Sequence, residues 1–224
     1  MKTVGVIIPA YNEEARIAET LRAVKSIPGI NKIIVVNDGS HDRTSVRAKA
    51  EGVAVLDLNT NRGKGGALNA ALLLVDTDIV VLLDADLGKC ASQADLLIKP
   101  VDDGRADLTI ASFPPAQKKG GFGLVKGTAS RVLRKMGQAE VNAPLSGQRA
   151  MTREVLKAVT PFDEGYGVEL GMSIKALKKG FRLMEVPTTM THKETGRDLK
   201  GFMHRGKQFV DVVKVIMAGR RHRI

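Results

Sequence analysis

The chain has no tryptophan, only two tyrosines and a single cysteine in its 224 residues. One cysteine, Cys90, excludes an internal disulfide and any cysteine-based metal cluster. So few aromatic rings leave little material for base stacking, and no nucleic-acid module is visible, so nucleic acid is not an expected partner. No apolar run is long enough to span a bilayer. Met1 to Pro9 enters a strand pattern directly, without a signal-peptide cleavage site, which makes the cytoplasm the expected compartment. What remains is an ordinary globular composition, 43% hydrophobic and 26% charged.

The net charge of +11 is unevenly placed. From Lys193 onward, nine Lys/Arg face three Asp/Glu, so more than half of the excess sits in a short C-terminal segment. Phe202, Phe209, Val213, Ile216 and Met217 fall near helical spacing there, and Arg220-Arg221-His222-Arg223 follows. The pattern fits an amphipathic basic helix lying on an anionic membrane surface, and equally a terminal helix packed on the domain. Residues 1–200 read as one domain and 201–224 as its basic tail.

The first half alternates short apolar runs with helical patterns, as βαβ units on a mostly parallel sheet do. Strands are expected at Thr3–Ile8, Lys32–Val36, Val53–Leu58 and Ile79–Leu83. Helices are expected at Glu13–Ser26, capped by Asn12, at Arg43–Glu51, and from Ala67 to Val75 after a glycine-rich turn. Later, a strand at Asp107–Ser112 precedes a Pro-, Gly- and Lys-rich loop and a basic helix, Thr128–Met136. An irregular stretch then runs to Gly147, before helices at Thr152–Val159 and Val168–Lys179 and a strand at Arg182–Val186.

The run Val80-Val81-Leu82-Leu83 ends in Asp84-Ala85-Asp86, two carboxylates one residue apart at a strand's carboxyl end. Alternation sends both to one side of an extended chain. Hard oxygen ligands in that place suit Mg²⁺ or Mn²⁺ and, through it, a diphosphate. The competing reading is a turn in which the aspartates satisfy backbone donors. Two further polar clusters, Pro9-Ala10-Tyr11-Asn12-Glu13 and Asn37-Asp38-Gly39-Ser40, also follow strands. Open parallel sheets bind ligands at those ends. Tyr11 suits stacking on a base, and Asp38 suits accepting hydrogen bonds from a base or ribose. The turn Asn61-Arg62-Gly63-Lys64-Gly65-Gly66 could approach phosphates, but the Gly-x-x-x-x-Gly-Lys-Ser/Thr spacing is absent. No Gly-x-Gly-x-x-Gly follows the first strand, which counts against a dinucleotide oxidoreductase.

These four segments, taken in chain order from Pro9–Glu13 to Asp84–Asp86, resemble the family-two glycosyltransferases of the GT-A fold: a Rossmann-like, mostly parallel sheet flanked by helices. The resemblance covers roughly residues 3–190. It implies a nucleotide pocket lined by Pro9, Tyr11, Glu13, Asp38, Lys64 and Ala85, with a UDP- or GDP-sugar as donor. It also implies that Asp84 and Asp86 bind a metal and the sugar-nucleotide diphosphate. A metal held there would stabilise the leaving nucleoside diphosphate without proton transfer.

Two subfamilies share the acceptor half. Leu145-Ser146-Gly147-Gln148-Arg149-Ala150 looks like the Ser-Gly-x-Arg motif of polyprenyl-phosphate sugar transferases. Arg149, Ser146 and the upstream Arg131 and Arg134 are then candidates to hold an acceptor phosphate. Glu164-Gly165-Tyr166-Gly167-Val168-Glu169 instead looks like a segment of the glucosyl-3-phosphoglycerate synthases. That likeness would make Glu169 catalytic or site-ordering, place a metal-binding histidine near His192, and make the acceptor a small phosphorylated acid. Polyprenyl transferases usually carry a glutamine shortly after the second aspartate, where this chain has Gly88. That departure leaves room for a reading of another class, a non-catalytic nucleotide-sugar-binding protein. The favoured expectation is transfer to polyprenyl phosphate at the inner membrane face.

Overall fold

The apolar run Val4–Ala10 forms strand β1, buried along nearly its whole length, as the centre of a parallel sheet requires. Helix and strand then alternate: α1 (Ile17–Lys25), β2 (Ile30–Asn37), α2 (Thr44–Ala50), β3 (Ala54–Asp57), α3 (Gly63–Ala71) and β4 (Ile79–Leu82). A 3₁₀ segment, Gly88–Gln93, leads into α4 (Ala94–Asp102) and β5 (Leu108–Ser112). Next come α5 (Gly123–Lys135), β6 (Arg149–Thr152), α6 (Arg153–Val159), α7 (Val168–Lys178) and β7 (Leu183–Pro187). This computed structural model describes residues 2–113, 123–135, 141–163 and 167–190. His192 and the tail 201–224 lie outside the described residues.

Among the described residues one seven-stranded sheet forms, in the order β3-β2-β1-β4-β6-β5-β7. Neighbours are parallel except β6, which runs antiparallel to both β4 and β5. Alternate residues of β1 supply the two faces. Val6 and Ile8 pack with Ile17, Leu21 and Val24 of α1 and with Leu97 and Val101 of α4. Ile7 packs on the other side with Leu68 of α3, Val155 of α6 and Met172 of α7. Each such fully buried side chain contributes about 1.5–3 kcal/mol, which holds helices to both faces. A smaller cluster seats Ala129 and Leu133 of α5 on Leu170 and Ile174 of α7.

Several local expectations are corrected. Helix α1 starts at Ile17, not Glu13, and Asn12 does not cap it. Asn12 instead takes φ 55°, a left-handed conformation that asparagine tolerates, in the turn after β1. The glycine-rich stretch is the first turn of α3 rather than a loop before it. A Cβ on Gly65 would lie 2.1 Å from the Asp163 carbonyl oxygen, so this helix packs closer than alanine permits. Helix α5 starts at Gly123, five residues before the expected Thr128. Helix α4 and strand β6 are additional to the expected elements. The first buries Leu97 and Val101 despite the internal Pro100. The second is four residues long and begins with a buried arginine.

Candidate active site

From β1 the chain winds outward through β2 to β3, then returns to β4 on the other flank of β1. The carboxyl ends of β1 and β4 thus flank a topological switch point, where open α/β sheets form their crevice. Tyr11 to Glu13 leave β1 at this rim, Asp38 leaves β2, and Asp84 to Asp86 leave β4. Strand β6 runs the other way, with Arg149 paired opposite Leu82. Its antiparallel direction carries Ser146, Gly147 and Gln148 to the same rim.

Lys64, in the first turn of α3, is the centre of the constellation. Its Nζ lies 2.6 Å from Asp84 Oδ1 and 2.9 Å from Glu169 Oε1. Glu169 stands in the first turn of α7 and is only 9% exposed. Gln148 Nε2 donates to the other Asp84 oxygen at 2.7 Å, and Ser146 Oγ donates to Gln148 Oε1 at 3.1 Å. Desolvation alone would push the Lys64 pKa down, but the charges and hydrogen bonds of Asp84 and Glu169 raise it well above the ordinary lysine range. Gly147 makes the cluster this tight: a Cβ there would lie 2.2 Å from Lys64 Nζ and 3.0 Å from both Asp84 oxygens.

Strand β4 ends at Leu82, and Ala85 and Asp86 sit in a turn, so strand alternation does not set their directions. Buried Thr20 fastens that turn: its hydroxyl donates to Ala85 O at 2.8 Å and accepts from Gly88 N at 2.8 Å. Arg16 Nη1 donates to Asp86 O at 3.4 Å. Gly88 has φ 58°, and a Cβ there would lie 2.7 Å from Glu19 Oε2. Glutamine is disfavoured at this position because side chains rarely adopt this left-handed backbone conformation.

Around β2 the rim is laced by hydrogen bonds. Asn12 N donates to Ser40 Oγ at 3.0 Å, His41 N to Asn12 Oδ1 at 2.9 Å, and Glu13 N to Thr44 Oγ1 at 2.8 Å. Asp38 is buried, and its Oδ1 accepts from Arg62 N at 2.7 Å, tying the end of β2 to the start of α3. Tyr11 is 43% exposed, its ring edge-on to His41 at 6.4 Å. Pro9 is half-buried at the end of β1, and Ala85 is buried.

The expected phosphate-holding group divides. Arg131 and Arg134 are exposed on α5. Arg149, by contrast, is fully buried and directed into the fold. Its Nε donates to Ser146 O, Nη2 to Pro144 O, and Nη1 to Ser173 Oγ, at 2.9, 3.0 and 2.9 Å. Burial pushes this guanidinium down to about 10, with the Glu169 charge opposing, so it remains a cation at neutral pH. Its place is a strut between the loop before β6 and α7, not an open anion clamp. Ser146 is likewise buried and spends its hydroxyl on Gln148.

Asp84 and Asp86 supply the hard oxygens a divalent cation favours. Among the described residues no group of three or more His, Cys, Asp or Glu side chains is poised to hold a metal by itself. Sequence reasoning missed Gln148, Thr20 and Ser173 as parts of the site. Gln148 sits at the variable position of a motif, and Thr20 interrupts an apolar stripe as a polar residue does on any helix.

A mostly parallel seven-stranded sheet with helices on both faces and a carboxylate-lined rim at its switch point is the architecture of the GT-A fold. The chain belongs to glycosyl transferase family 2, whose family model matches residues 5–160. An uncharacterised protein of Methanocaldococcus jannaschii is 33% identical over 94% of this chain and 88% of its own. Glucosyl-3-phosphoglycerate synthase of Mycobacterium tuberculosis is 32% identical over 77% of this chain, which spans 60% of that enzyme's length. Its crystal structure with Mn²⁺, UDP and glucosyl-3-phosphoglycerate superposes with a TM-score of 0.80 at 28% identity, covering 97% of this chain and 80% of that one. Polyprenol monophosphomannose synthase of Mycolicibacterium smegmatis is 30% identical over 85% of this chain and 78% of its own.

Proposed function

We propose that this glycosyltransferase moves a sugar from a UDP- or GDP-sugar to a phosphate-bearing acceptor, with Mg²⁺ or Mn²⁺ bound at Asp84 and Asp86. The observation that carries the reading is Lys64 held between Asp84 and Glu169 at the switch point, opposite the turn that bears Asp86. Tyr11, Pro9, Glu13, Asp38 and Ala85 line the nucleoside side, and Lys64 offers its cation to the diphosphate. The bound metal supplies neutralisation of the leaving nucleoside diphosphate. Where the acceptor is polyprenyl phosphate, its anionic phosphate oxygen is the nucleophile and needs no general base, so Glu169 serves by fixing Lys64 and shaping the acceptor side. Arg131 and Arg134 are the exposed cations for the acceptor phosphate, on a helix packed against Leu170, the neighbour of Glu169.

Polyprenyl phosphate is the acceptor we favour. The Ser-Gly-Gln-Arg segment and the likeness to polyprenol monophosphomannose synthase over most of both chains support it. The basic sequence of 201–224 would then hold the domain, residues 1–200, to an anionic membrane surface from the cytoplasmic side. Among the described residues no helix is long and apolar enough to cross a membrane. A small soluble acceptor such as 3-phosphoglycerate is the second reading, favoured by the superposition on the mycobacterial synthase.

The deciding experiment offers a panel of UDP- and GDP-sugars with Mn²⁺ to the purified protein, beside polyprenyl phosphate in detergent and 3-phosphoglycerate in buffer. Glycosylated polyprenyl phosphate, lost with chelator and with Asp86→Ala, is the expected result. A product only with 3-phosphoglycerate moves the assignment to the soluble acceptor. Metal-dependent donor binding without transfer to any acceptor would instead indicate a non-catalytic binding protein.

A further inference from the structure

We propose that Gln148 is a positioning residue for transfer: its side-chain amide sets the carboxylate of Asp84 in the orientation that receives the metal and diphosphate. The inference rests on the reading that Asp84 acts at the donor site.

The amide is wholly buried and has a defined sense. Ser146 Oγ donates to Gln148 Oε1 at 3.1 Å, which turns Nε2 toward Asp84 Oδ2 at 2.7 Å. Lys64 takes Asp84 Oδ1 at 2.6 Å, so the carboxylate is gripped at both oxygens and its plane is set. Gln148 cannot easily withdraw, because the loop that carries it is pinned from behind. Arg149, the next residue, donates to Ser146 O, to Pro144 O and to Ser173 Oγ on α7. The pairing of Leu82 with Arg149 fixes the two strand ends against each other.

The choice of a neutral amide has a physical reason. Lys64 already places one cation between Asp84 and Glu169, so a lysine or arginine in place of Gln148 would add a second and cancel the negative charge that remains for a divalent cation. A carboxylate would repel Asp84. Glutamine orients without altering the charge, as groups behind metal-binding side chains commonly do.

The test is Mn²⁺ binding to the UDP complex, by calorimetry, for wild type, Gln148→Glu and Gln148→Met, with thermal unfolding and transfer kinetics measured alongside. Gln148→Glu keeps the size and the Ser146 bond but loses the donor, whereas Gln148→Met keeps only the volume. Both are expected to weaken Mn²⁺ about 10- to 100-fold, with transfer recovering at saturating Mn²⁺, so that the metal requirement rises more than kcat falls. A role confined to packing would lower the unfolding temperature and leave the Mn²⁺ affinity of the folded protein unchanged. Should either variant fail to fold, Ser146→Ala, which frees the amide without touching it, is expected to weaken Mn²⁺ in the same direction by less. Wild type that binds Mn²⁺ and UDP, beside folded variants within twofold of it, overturns the inference alone. Wild type that binds neither overturns the functional reading and this inference with it.

Discussion

Lys64 and Asp84 meet nitrogen to oxygen at 2.6 Å, at the joint between α3 and the end of β4. The same ammonium reaches Glu169 at 2.9 Å, so one cation stands between two carboxylates from separate elements. Removing it leaves those carboxylates facing each other with little water. Lys64→Met is therefore expected to lower kcat/KM at least about 100-fold, the usual cost of deleting an electrostatic group aimed at developing charge. Lys64→Arg should not rescue it, because the planar fork needs room that the Gly147 backbone occupies. Steady-state kinetics of the two variants check this, and near-wild-type activity in Lys64→Met would remove Lys64 from the mechanism.

Gly147 gives a separate test of that geometry. An added Cβ would fall 2.2 Å from Lys64 Nζ, at the far end of a flexible side chain that can move aside. Gly147→Ala is thus expected to cost little stability, less than about 1 kcal/mol, while displacing the ammonium from Asp84. Activity should fall at least tenfold with an unfolding temperature close to that of wild type. A variant equally impaired in both would instead mark Gly147 as a folding requirement.

The parallel half of this fold is plain in the sequence because its central strands, β1, β2 and β4, carry apolar, largely β-branched runs buried on both faces, whereas β3 at the edge is partly exposed. Ile33 to Val36 and Ile79 to Leu82 admit no polar residue, and the clusters that follow them mark the rim. Strand β6 carries no such signal. Its four residues begin with Arg149, whose burial is made tolerable by two backbone carbonyls and the Ser173 hydroxyl, all remote in sequence or in a loop. For the same reason Arg149 read as an anion ligand: a buried, satisfied arginine and an exposed, phosphate-binding one look alike in a motif. The link between Asp84 and Gln148 spans 64 residues and depends on the antiparallel direction of β6. Periodicity does not report strand direction.

Asp107 and Arg182 clasp the ends of β5 and β7, with Arg182 Nε and Nη2 on the two carboxylate oxygens at 3.0 and 2.8 Å. The Arg182 hydrogen bond, opposed by desolvation, holds the Asp107 carboxyl below its ordinary value of 3.8. Asp57 is held low in the same way by Lys49. A carboxyl with a depressed folded-state pKa contributes stability that is complete above the unfolded value. That contribution is lost as pH falls through the folded value. Asp107→Asn should therefore destabilise the protein by up to about 1 kcal/mol at neutral pH, for a partly exposed pair. The gap from wild type should close below about pH 4. Denaturant midpoints measured from pH 7 down to pH 3 check the sign, and a gap that widened with acid would refute it.

The turn bearing Asp86 depends on two residues that themselves carry no charge. Thr20 Oγ1 bridges Ala85 O and Gly88 N, both at 2.8 Å, and Gly88 takes the left-handed conformation that completes the bend. Gly88→Gln forces a side chain into φ 58° and toward the Glu19 carboxylate, at about 1–2 kcal/mol for the backbone alone. Thr20→Val keeps the shape but leaves a buried N–H and C=O without their partner, at about 1–3 kcal/mol. Each should lower the unfolding temperature by a few degrees, since about 1 kcal/mol corresponds to roughly 2–4 °C at this chain length. Both should also weaken Mn²⁺ in the UDP complex, because the change loosens the backbone that aims Asp86. Loss of stability with full Mn²⁺ affinity in both variants would show that the turn holds the fold and leaves the metal to Asp84.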